Sequence, residues 1–270
     1  MEQCQAVSSS RSCAANAQGA RRAHERAMRT TRIERLPFTI RRVHSDADMA
    51  KAVQVRHAAY ARHVPEFAAT LALPEAADYA DDTIVLLAES KLDGSALGSI
   101  RIRSNVARPL DLEASVVLPG HLQGRRMVEA CRLGVGEGRE GRLVKVALIK
   151  ACFMYCQDNG IEWSVATARS AVDRQYQQMT FVDLFPERGP VPLRHVGDIP
   201  HRVMAFEIAG FEARWRAAGH PMLDFFFHVY HPDIRIGARV ETSAKLRPAR
   251  LPMAPRKRTR TRDQLAMTLN

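Results

Sequence analysis

Long apolar runs are absent from this chain of 270 residues: none reaches 18 consecutive apolar residues, so the sequence predicts no membrane-spanning helix. The N-terminal segment is rich in Ser, Ala and Arg, and it lacks the apolar core of a secretory signal peptide. No internal repeat of 20–50 residues is present either. The length therefore suits one large domain or two small ones.

Cysteine is scarce and odd in number, with five residues of which three lie in apolar segments. That usage predicts reduced thiols in a cytoplasm rather than a disulfide framework. Cys152 and Cys156 share a helix face, but no second pair of ligands is spaced to complete a metal site. His195, His201 and His228 also lack partners at metal-ligand spacing. We therefore predict buried hydrophobic thiols and no metal site.

The positive charge is confined to the two ends of the chain. Residues 1–35 hold seven arginines against three acids, and residues 238–270 hold nine basic residues against two acids. The remaining 36–237 hold 24 residues of each sign, so the pI of about 10.0 does not describe the body. We predict a folded domain at 36–237 between two basic, disordered tails. The C-terminal tail suits anionic lipid headgroups at the inner membrane, and nucleic acid is the less favoured partner.

Local patterns predict alternating strands and helices. The periodicity indicates a strand at 38–43, a helix to about Arg62, strands at 83–89 and 96–103, a strand at 127–135, a helix at 141–158, a strand at 161–168, a helix at 170–179 and a strand at 203–208. A hairpin-connected centre flanked by strand–helix–strand crossovers implies a mixed sheet with helices on both faces, in the α/β (α+β) class.

One apolar strand carries an acid and a base three positions apart, Glu129 and Arg132. Two ionisable groups in a core strand cost free energy unless they are paired or used. Strand alternation would put the two side chains on opposite faces unless the strand is bulged. This segment is therefore the first candidate for chemistry.

Several stretches together resemble a known superfamily in order and spacing. They are Arg56-x-x-x-Tyr60, Asp81-Asp82, Gly98-Ser-Ile-Arg101, Glu129-x-x-Arg132, and the Tyr176 to Phe181 spacing. Across residues 38–208 the chain resembles the GCN5-related N-acyltransferase (GNAT) superfamily. Within it the likeness is to the N-acyl amino acid synthases and the acyl-homoserine lactone (autoinducer) synthases. The resemblance implies a mixed, largely antiparallel central sheet with helices on both faces, and an acyltransferase.

The turn after the Glu129 strand bears on the acyl donor. Users of acetyl-CoA in the superfamily have an Arg/Gln-x-x-Gly-x-Gly/Ala turn, whereas residues 139–144 read Arg-Glu-Gly-Arg-Leu-Val and lack both glycines. The resemblance therefore favours an acyl-phosphopantetheine donor on acyl carrier protein over acyl-CoA, with no tightly bound cofactor. Segment 121–150 holds seven basic residues against three acids, which suits an acidic carrier protein. Arg139, Arg142 and Lys145 are the expected carrier or phosphopantetheine contacts, with an ordinary charged helix face as the alternative.

Acyl transfer to an amine requires a base for the ammonium proton, an oxyanion site and a proton for the leaving thiolate. Glu129 is the first candidate base, directly or through water, and Asp81 or Asp82 the second. An ion pair of Glu129 with Arg132 or Arg101 is the alternative interpretation. The oxyanion site is expected where strand 127–135 bulges and splays from strand 161–168.

The remaining candidates bind substrate or move the second proton. Arg56, Arg101 and Arg132 could bind an amino-acid carboxylate in bidentate fashion, with Asp82 beside them. Tyr176 could reprotonate the thiolate, or it could be a packing residue. Phe225-Phe-Phe227 could line an acyl tunnel or close the core.

We therefore predict an N-acyltransferase that joins a long fatty acyl chain from acyl carrier protein to the amine of an amino acid. A lactone synthase that uses S-adenosylmethionine, a CoA-dependent N-acetyltransferase and a non-catalytic binding protein remain alternatives. The acid in a core strand argues against the last, because binding alone does not require it. The length of the tails and the few aromatic residues after Arg56 argue against the lactone synthase.

Overall fold

A computed structural model describes residues 32–169 and 172–237. Its strands are β1 (Arg32–Ile33), β2 (Phe38–Arg42), β3 (Thr83–Ser90), β4 (Ala96–Ser104), β5 (Met127–Val135), β6 (Trp163–Ala168), β7 (Val182–Asp183), β8 (Val191–Leu193), β9 (Ile199–Glu207), β10 (Val229–Tyr230) and β11 (Ile234–Arg235). Its α-helices are α1 (Asp46–Ala61), α2 (Pro65–Thr70), α3 (Gly138–Asp158), α4 (Asp173–Gln178) and α5 (Phe211–Ala217). The predicted tails lie outside the described residues, except for 32–35.

The central sheet has the strand order β11-β2-β3-β4-β5-β6-β9-β7, and β8 pairs with β9 beside it. The pairs β2–β3, β3–β4, β4–β5 and β6–β9 are antiparallel, whereas β5–β6 and β11–β2 are parallel. The predicted mixed, largely antiparallel sheet is confirmed. The parallel pair β5–β6 requires a crossover, and α3 provides it.

Side chains of the strands alternate between two buried faces. In β3, Leu86 packs in the large core cluster with α3 and α5, whereas Val85 and Leu87 pack with α1. In β6, Val165 packs with residues 110–122 and the β8–β9 hairpin. The sheet is therefore covered on both sides, with α3 and α5 on one face and α1 with the 110–122 segment on the other.

Element boundaries follow local signals, with three differences from the prediction. Ser45 caps α1 by accepting the Asp48 N–H at 3.1 Å, as its sequence indicates. The α3 helix begins at Gly138 rather than 141, and Gly138 itself has a left-handed φ of 74°. The irregular stretch after Phe181 contains β7, β8 and the start of β9, and the apolar segment near 224–228 forms a turn of π-helix.

Candidate active site

The β5 strand contains the bulge that its Glu-x-x-Arg pattern made us expect. Pairing with β4 runs through Arg101 opposite Cys131 and Ser99 opposite Gly134, so two residues of β5 share one position of β4. One of them, Arg132, has a φ of 53°. A non-glycine residue in the left-handed region costs on the order of 1–3 kcal/mol, so its surroundings must hold it there.

Beyond the bulge, β5 separates from β6. Their parallel pairing ends at Ala130 opposite Ala166, although β5 continues to Val135. Neighbouring side chains at the bulge point to opposite faces: Leu133 packs against the core cluster that contains α3, whereas Arg132 joins an ion-pair cluster on the α1 face. The predicted separation of the two strands is therefore present, and it lies where adjacent residues of β5 face opposite sides of the sheet.

Three buried arginines and two carboxylates form the ion-pair cluster, Arg56, Arg101, Arg132, Glu75 and Asp78. Arg56 donates to Asp78 from Nη1 at 2.9 Å and Nη2 at 2.8 Å. Arg132 donates to Glu75 from Nε and Nη2, both at 2.8 Å. Arg101 Nη1 bridges the carboxylates at 3.0 Å from Glu75 and 3.2 Å from Asp78. The cluster therefore joins all three predicted arginines, and it carries one more guanidinium than carboxylate.

The two carboxylates of the cluster are ionised because the arginines outweigh burial. Burial alone would raise the pKa of Glu75, but the hydrogen bond from Arg132 and the charges of Arg101 and Arg56 hold it below the usual value. The pKa of Asp78 is lowered in the same way, against burial, by the hydrogen bond from Arg56. The Glu75 N–H also donates to Asp78 Oδ2 at 2.8 Å, so a short 3₁₀ turn presents the pair.

A close approach of α1 to β5 positions Arg56. A Cβ atom on Gly134 would lie 2.8 Å from the Arg56 Cα, so only glycine fits at this crossing. The helix can therefore place a buried arginine directly over the bulged strand. Arg56 is 2% exposed, so it is not a solvated surface arginine.

The acidic pair chosen from the sequence, Asp81 and Asp82, lies elsewhere. Asp82 is bonded by Arg108 from Nε at 2.8 Å and Nη2 at 3.2 Å, and Arg103 Nε lies 3.5 Å away. Asp82 is thus committed to a second ion-pair group, not to the cluster around Glu75. Asp81 is exposed to solvent, a position that argues against its predicted role as a base in a water-excluded cleft.

Glu129 pairs with neither candidate arginine. Its side chain is 1% exposed; Oε1 lies 3.1 Å from His195 Nε2, and Oε2 accepts the Leu112 N–H at 3.4 Å. The predicted ion pair with Arg132 or Arg101 is therefore wrong. Sequence reasoning missed His195 as a partner, because the two residues are far apart in the chain and no spacing pattern relates them.

The loop between β8 and β9 positions His195. Leu193 and Val196 are buried on either side of it, and Gly197 ends the 3₁₀ turn with a φ of 73°. Arg132 Nη2 donates to the His195 carbonyl at 3.1 Å, so the bulged strand and the loop are fixed to each other.

On the opposite face, a cavity of about 670 Å³ lies between Leu133, α3, α4 and the 215–226 segment. It is lined mainly by apolar side chains, including Ile149, Met179 and Phe226. Phe226 thus lines a cavity, whereas Phe227 packs edge-on against Phe153 in the core. Phe226 also belongs to the buried core cluster, so the predicted core closure is present, and the acyl tunnel stays a prediction.

Tyr176 lines the same cavity and packs edge-on against Phe181, with ring centroids 5.0 Å apart. Burial raises the pKa of its phenol, with further contributions from Tyr60, Cys152 and Cys131. The hydroxyl is therefore protonated at neutral pH and can donate.

The basic residues predicted to meet the carrier lie on the first turns of α3. Arg142 and Lys145 line the cavity, and Lys145 Nζ donates to Gln175 Oε1 at 2.5 Å. Burial and the neighbouring charge of Arg142 lower the pKa of Lys145. Arg139 is exposed one turn earlier.

Within residues 32–169 and 172–237, no three His, Cys, Asp or Glu side chains are grouped as metal ligands. In the same part of the chain, none of the helices combines the length and apolar character needed to cross a membrane.

The strand order, the bulged and splayed central strands and the flanking helices define the GNAT fold. No family model and no curated protein sequence matches the chain. Among solved structures, it is similar to FeeM, an N-acyl amino acid synthase from uncultured soil microbes. The TM-score is 0.51 at 13% identity, over 65% of this chain and 93% of that one.

Two further structures are similar at lower scores. BjaI, a CoA-dependent acyl-homoserine lactone synthase solved with MTA, has a TM-score of 0.48 at 17% identity, over 74% of this chain and 96% of its own. A putative N-acetyltransferase from Lactobacillus plantarum has a TM-score of 0.46 at 14% identity, over 64% and 99%. At 13% identity, the likeness to FeeM establishes the fold alone.

Proposed function

We propose that this protein transfers a long fatty acyl chain from a phosphopantetheine thioester to the amine of an amino acid. One observation carries the proposal: an apolar cavity and an arginine–carboxylate cluster lie on opposite faces of the sheet, beside the adjacent residues Leu133 and Arg132, where β5 no longer pairs with β6. A thioester with its acyl chain suits the first, and a zwitterionic acceptor suits the second. The similarity to an N-acyl amino acid synthase supports this pairing of substrates.

The cavity suits a chain longer than acetyl. Its volume of about 670 Å³ and its lining by Leu133, Ile149, Met179 and Phe226 offer far more apolar contact than two carbons need. Burial of each methylene of the chain contributes roughly 0.8 kcal/mol. Long-chain specificity follows from that sum.

Charges at the start of α3 favour a carrier-bound donor over CoA. Glu137 and Glu140 flank this helix N-terminus, where a pyrophosphate would otherwise bind. A phosphopantetheine arm brings a single phosphodiester, and Arg139, Arg142 and Lys145 provide a basic rim for it and for an acidic carrier protein.

The acceptor carboxylate suits the ion-pair cluster. Arg56, Arg101 and Arg132 outnumber Glu75 and Asp78, so one positive charge is available for an incoming anion. The site around Glu129 lies beside the cluster and supplies the base that accepts the ammonium proton. The Tyr176 hydroxyl, on the donor side, protonates the departing thiolate.

Two further proposals concern which part of the chain carries the activity and what the C-terminal tail binds. The domain of 36–237 carries the activity, and the basic C-terminal tail holds the protein peripherally at an anionic inner membrane. A variant that lacks 238–270 should partition less into anionic liposomes at physiological salt; equal partitioning would remove the membrane proposal.

Mass spectrometry tests the reaction. A bacterial host that expresses the chain should accumulate N-acyl amino acids, and one that expresses Glu129→Gln should accumulate far less of them. The purified protein, given acyl carrier protein thioesters or acyl-CoA of matched length, should form the same product faster from the carrier. Homoserine lactones, short-chain products or no acylated amine would each contradict the proposal.

A further inference from the structure

We infer that His195 is the general base that deprotonates the acceptor amine and that Glu129 is its positioning residue. The inference rests on the proposed function, because it assigns the proton acceptor of that same reaction. It starts from the contact of His195 Nε2 with Glu129 Oε1 at 3.1 Å. No pattern in the sequence points to this histidine.

Both members of the pair have unused hydrogen-bonding capacity. Within the described part of the chain, Glu129 Oε1 and both ring nitrogens of His195 are buried without a well-aligned hydrogen bond. Buried polar atoms of native proteins are nearly always satisfied, so unsatisfied ones that face each other indicate a functional arrangement. A carboxylate against one ring nitrogen fixes the tautomer and leaves the other as a lone pair.

Accessibility decides which member meets the substrate. The Glu129 side chain is 1% exposed and is enclosed by Leu112 and the histidine ring, whereas the His195 side chain is 11% exposed. A base must come within about 3 Å of the proton that it takes. His195 is therefore the outer member of the pair, with Glu129 behind it.

The protein also holds the histidine in place before the acceptor binds. Arg132 Nη2 donates to its carbonyl at 3.1 Å, and the Arg194 N–H donates to Ser115 Oγ at 3.0 Å. Since Arg132 also belongs to the ion-pair cluster, the base and the proposed carboxylate site share one guanidinium. The acceptor's carboxylate and its ammonium would therefore be positioned by adjacent groups.

The charged and titratable groups that face His195 come from two strands. They are Glu129 and Arg132 from β5 and His201 from β9. Burial, together with the charges of His195, Arg169 and Arg132, lowers the pKa of His201, so it stays neutral at neutral pH and does not compete as a cation. Glu129 is therefore the group that stabilises an imidazolium at 195.

The step balances as follows. With Nε2–H directed at Glu129, His195 Nδ1 takes one proton from the acceptor ammonium, giving an imidazolium and a neutral amine. The amine lone pair attacks the thioester carbonyl, and a C–N bond forms. When the tetrahedral intermediate collapses, the C–S bond breaks and the nitrogen loses its second proton, which reaches the thiolate through the Tyr176 hydroxyl. The imidazolium returns its proton to solvent after the amide leaves.

The variant His195→Gln tests the inference, because its amide N–H can still donate to Glu129 but cannot accept the proton. We expect kcat to fall by about 10²–10⁴-fold with little change in KM, and the acid limb of the pH–rate profile to disappear. His195→Ala should regain activity with added imidazole. His121→Gln, at an exposed histidine packed on Trp163, is the matched control and should behave as wild type.

A second variant distinguishes the two residues even if position 195 does not tolerate substitution. In Glu129→Gln, a general base at 195 retains the acid limb of the pH–rate profile. If Glu129 itself were the base, that limb would vanish. An active wild type whose His195→Gln keeps its rate and pH profile would overturn this inference alone, whereas an inactive wild type would overturn the proposed function.

Discussion

Glu75 and Arg132 form a two-bond ion pair across the bulge of β5, with both N–O distances at 2.8 Å. The partners are 57 residues apart, and the arginine is in a left-handed conformation that it would otherwise avoid. The pair therefore holds the strained residue that opens β5 away from β6. Substitutions here should affect both stability and activity.

Glu75→Gln should destabilise the protein by about 3–5 kcal/mol, because it leaves Arg132 buried with an incomplete partner. Chemical denaturation monitored by circular dichroism would measure the change. Glu212→Gln is the matched control, since Glu212 pairs with exposed Arg216, and it should cost less than about 1 kcal/mol. Equal losses of unfolding free energy in the two variants would show that burial does not make the Glu75 pair more stabilising than the exposed Glu212 pair.

Filling the cavity should shorten the acyl chain that is transferred. Ile149→Trp places a larger side chain in the cavity wall, so long chains should lose activity while short chains keep it, and the KM for the amino acid should not change. Product profiles by mass spectrometry provide the readout. Val117→Trp, at a position that is 79% exposed, is the control. An unchanged chain-length profile would place the acyl chain elsewhere.

Reversing one charge at the cavity rim should selectively weaken binding of the carrier-bound donor. Arg142→Glu should raise the KM for an acyl carrier protein thioester, an effect that should diminish with added salt, and leave a small acyl-pantetheine thioester almost unaffected. Arg216→Glu, at an exposed arginine of α5, serves for comparison. A similar rise for both donors would indicate damage to the pantetheine site rather than loss of carrier docking.

Because of Lys150, the protein should become more stable as the pH rises into the alkaline range. Its ammonium donates to the Phe225 and Val229 carbonyls, both at 2.6 Å, and lies 2.9 Å from His231 Nδ1. Burial lowers its pKa from 10.5 to about 8, so between these values the unfolded chain binds more protons than the native one. The free energy of unfolding should therefore rise from about pH 8 to 10.5 through this group.

Comparison with Lys150→Met isolates that contribution. The variant cannot titrate at this position, so the difference in unfolding free energy between it and the wild type should change across the same pH range. Urea denaturation at four or five pH values would measure it. Parallel curves for the two proteins would mean that the lysine is not the responsible group.

Local patterns in the sequence identified much of the fold and half of the site. The Glu129 strand, the α1 arginine and the β4 arginine are visible because charged residues interrupt apolar periodicity. The sequence does not distinguish Glu75 and Asp78 from Asp81 and Asp82 as members of the site. Both pairs precede the same strand, and only packing against Arg56 separates them.

The pairing of Glu129 with His195 could not be derived in this way. It depends on how a hairpin at 191–207 folds back over the 110–122 segment, and the residues between 181 and 200 show no clear periodicity. Long-range contacts of irregular loops are set by the tertiary fold, so no local signal marks that histidine.

The separation of β5 from β6 beyond Ala130 has a kinetic consequence. If the thioester enters from the α3 side and the amine from the α1 side, neither substrate blocks the other's entrance. Both can then be present together, and initial velocities should follow a ternary-complex pattern. A single molecule that joins an acyl-pantetheine arm to an amino acid would cross the sheet through this gap and should inhibit competitively against both substrates.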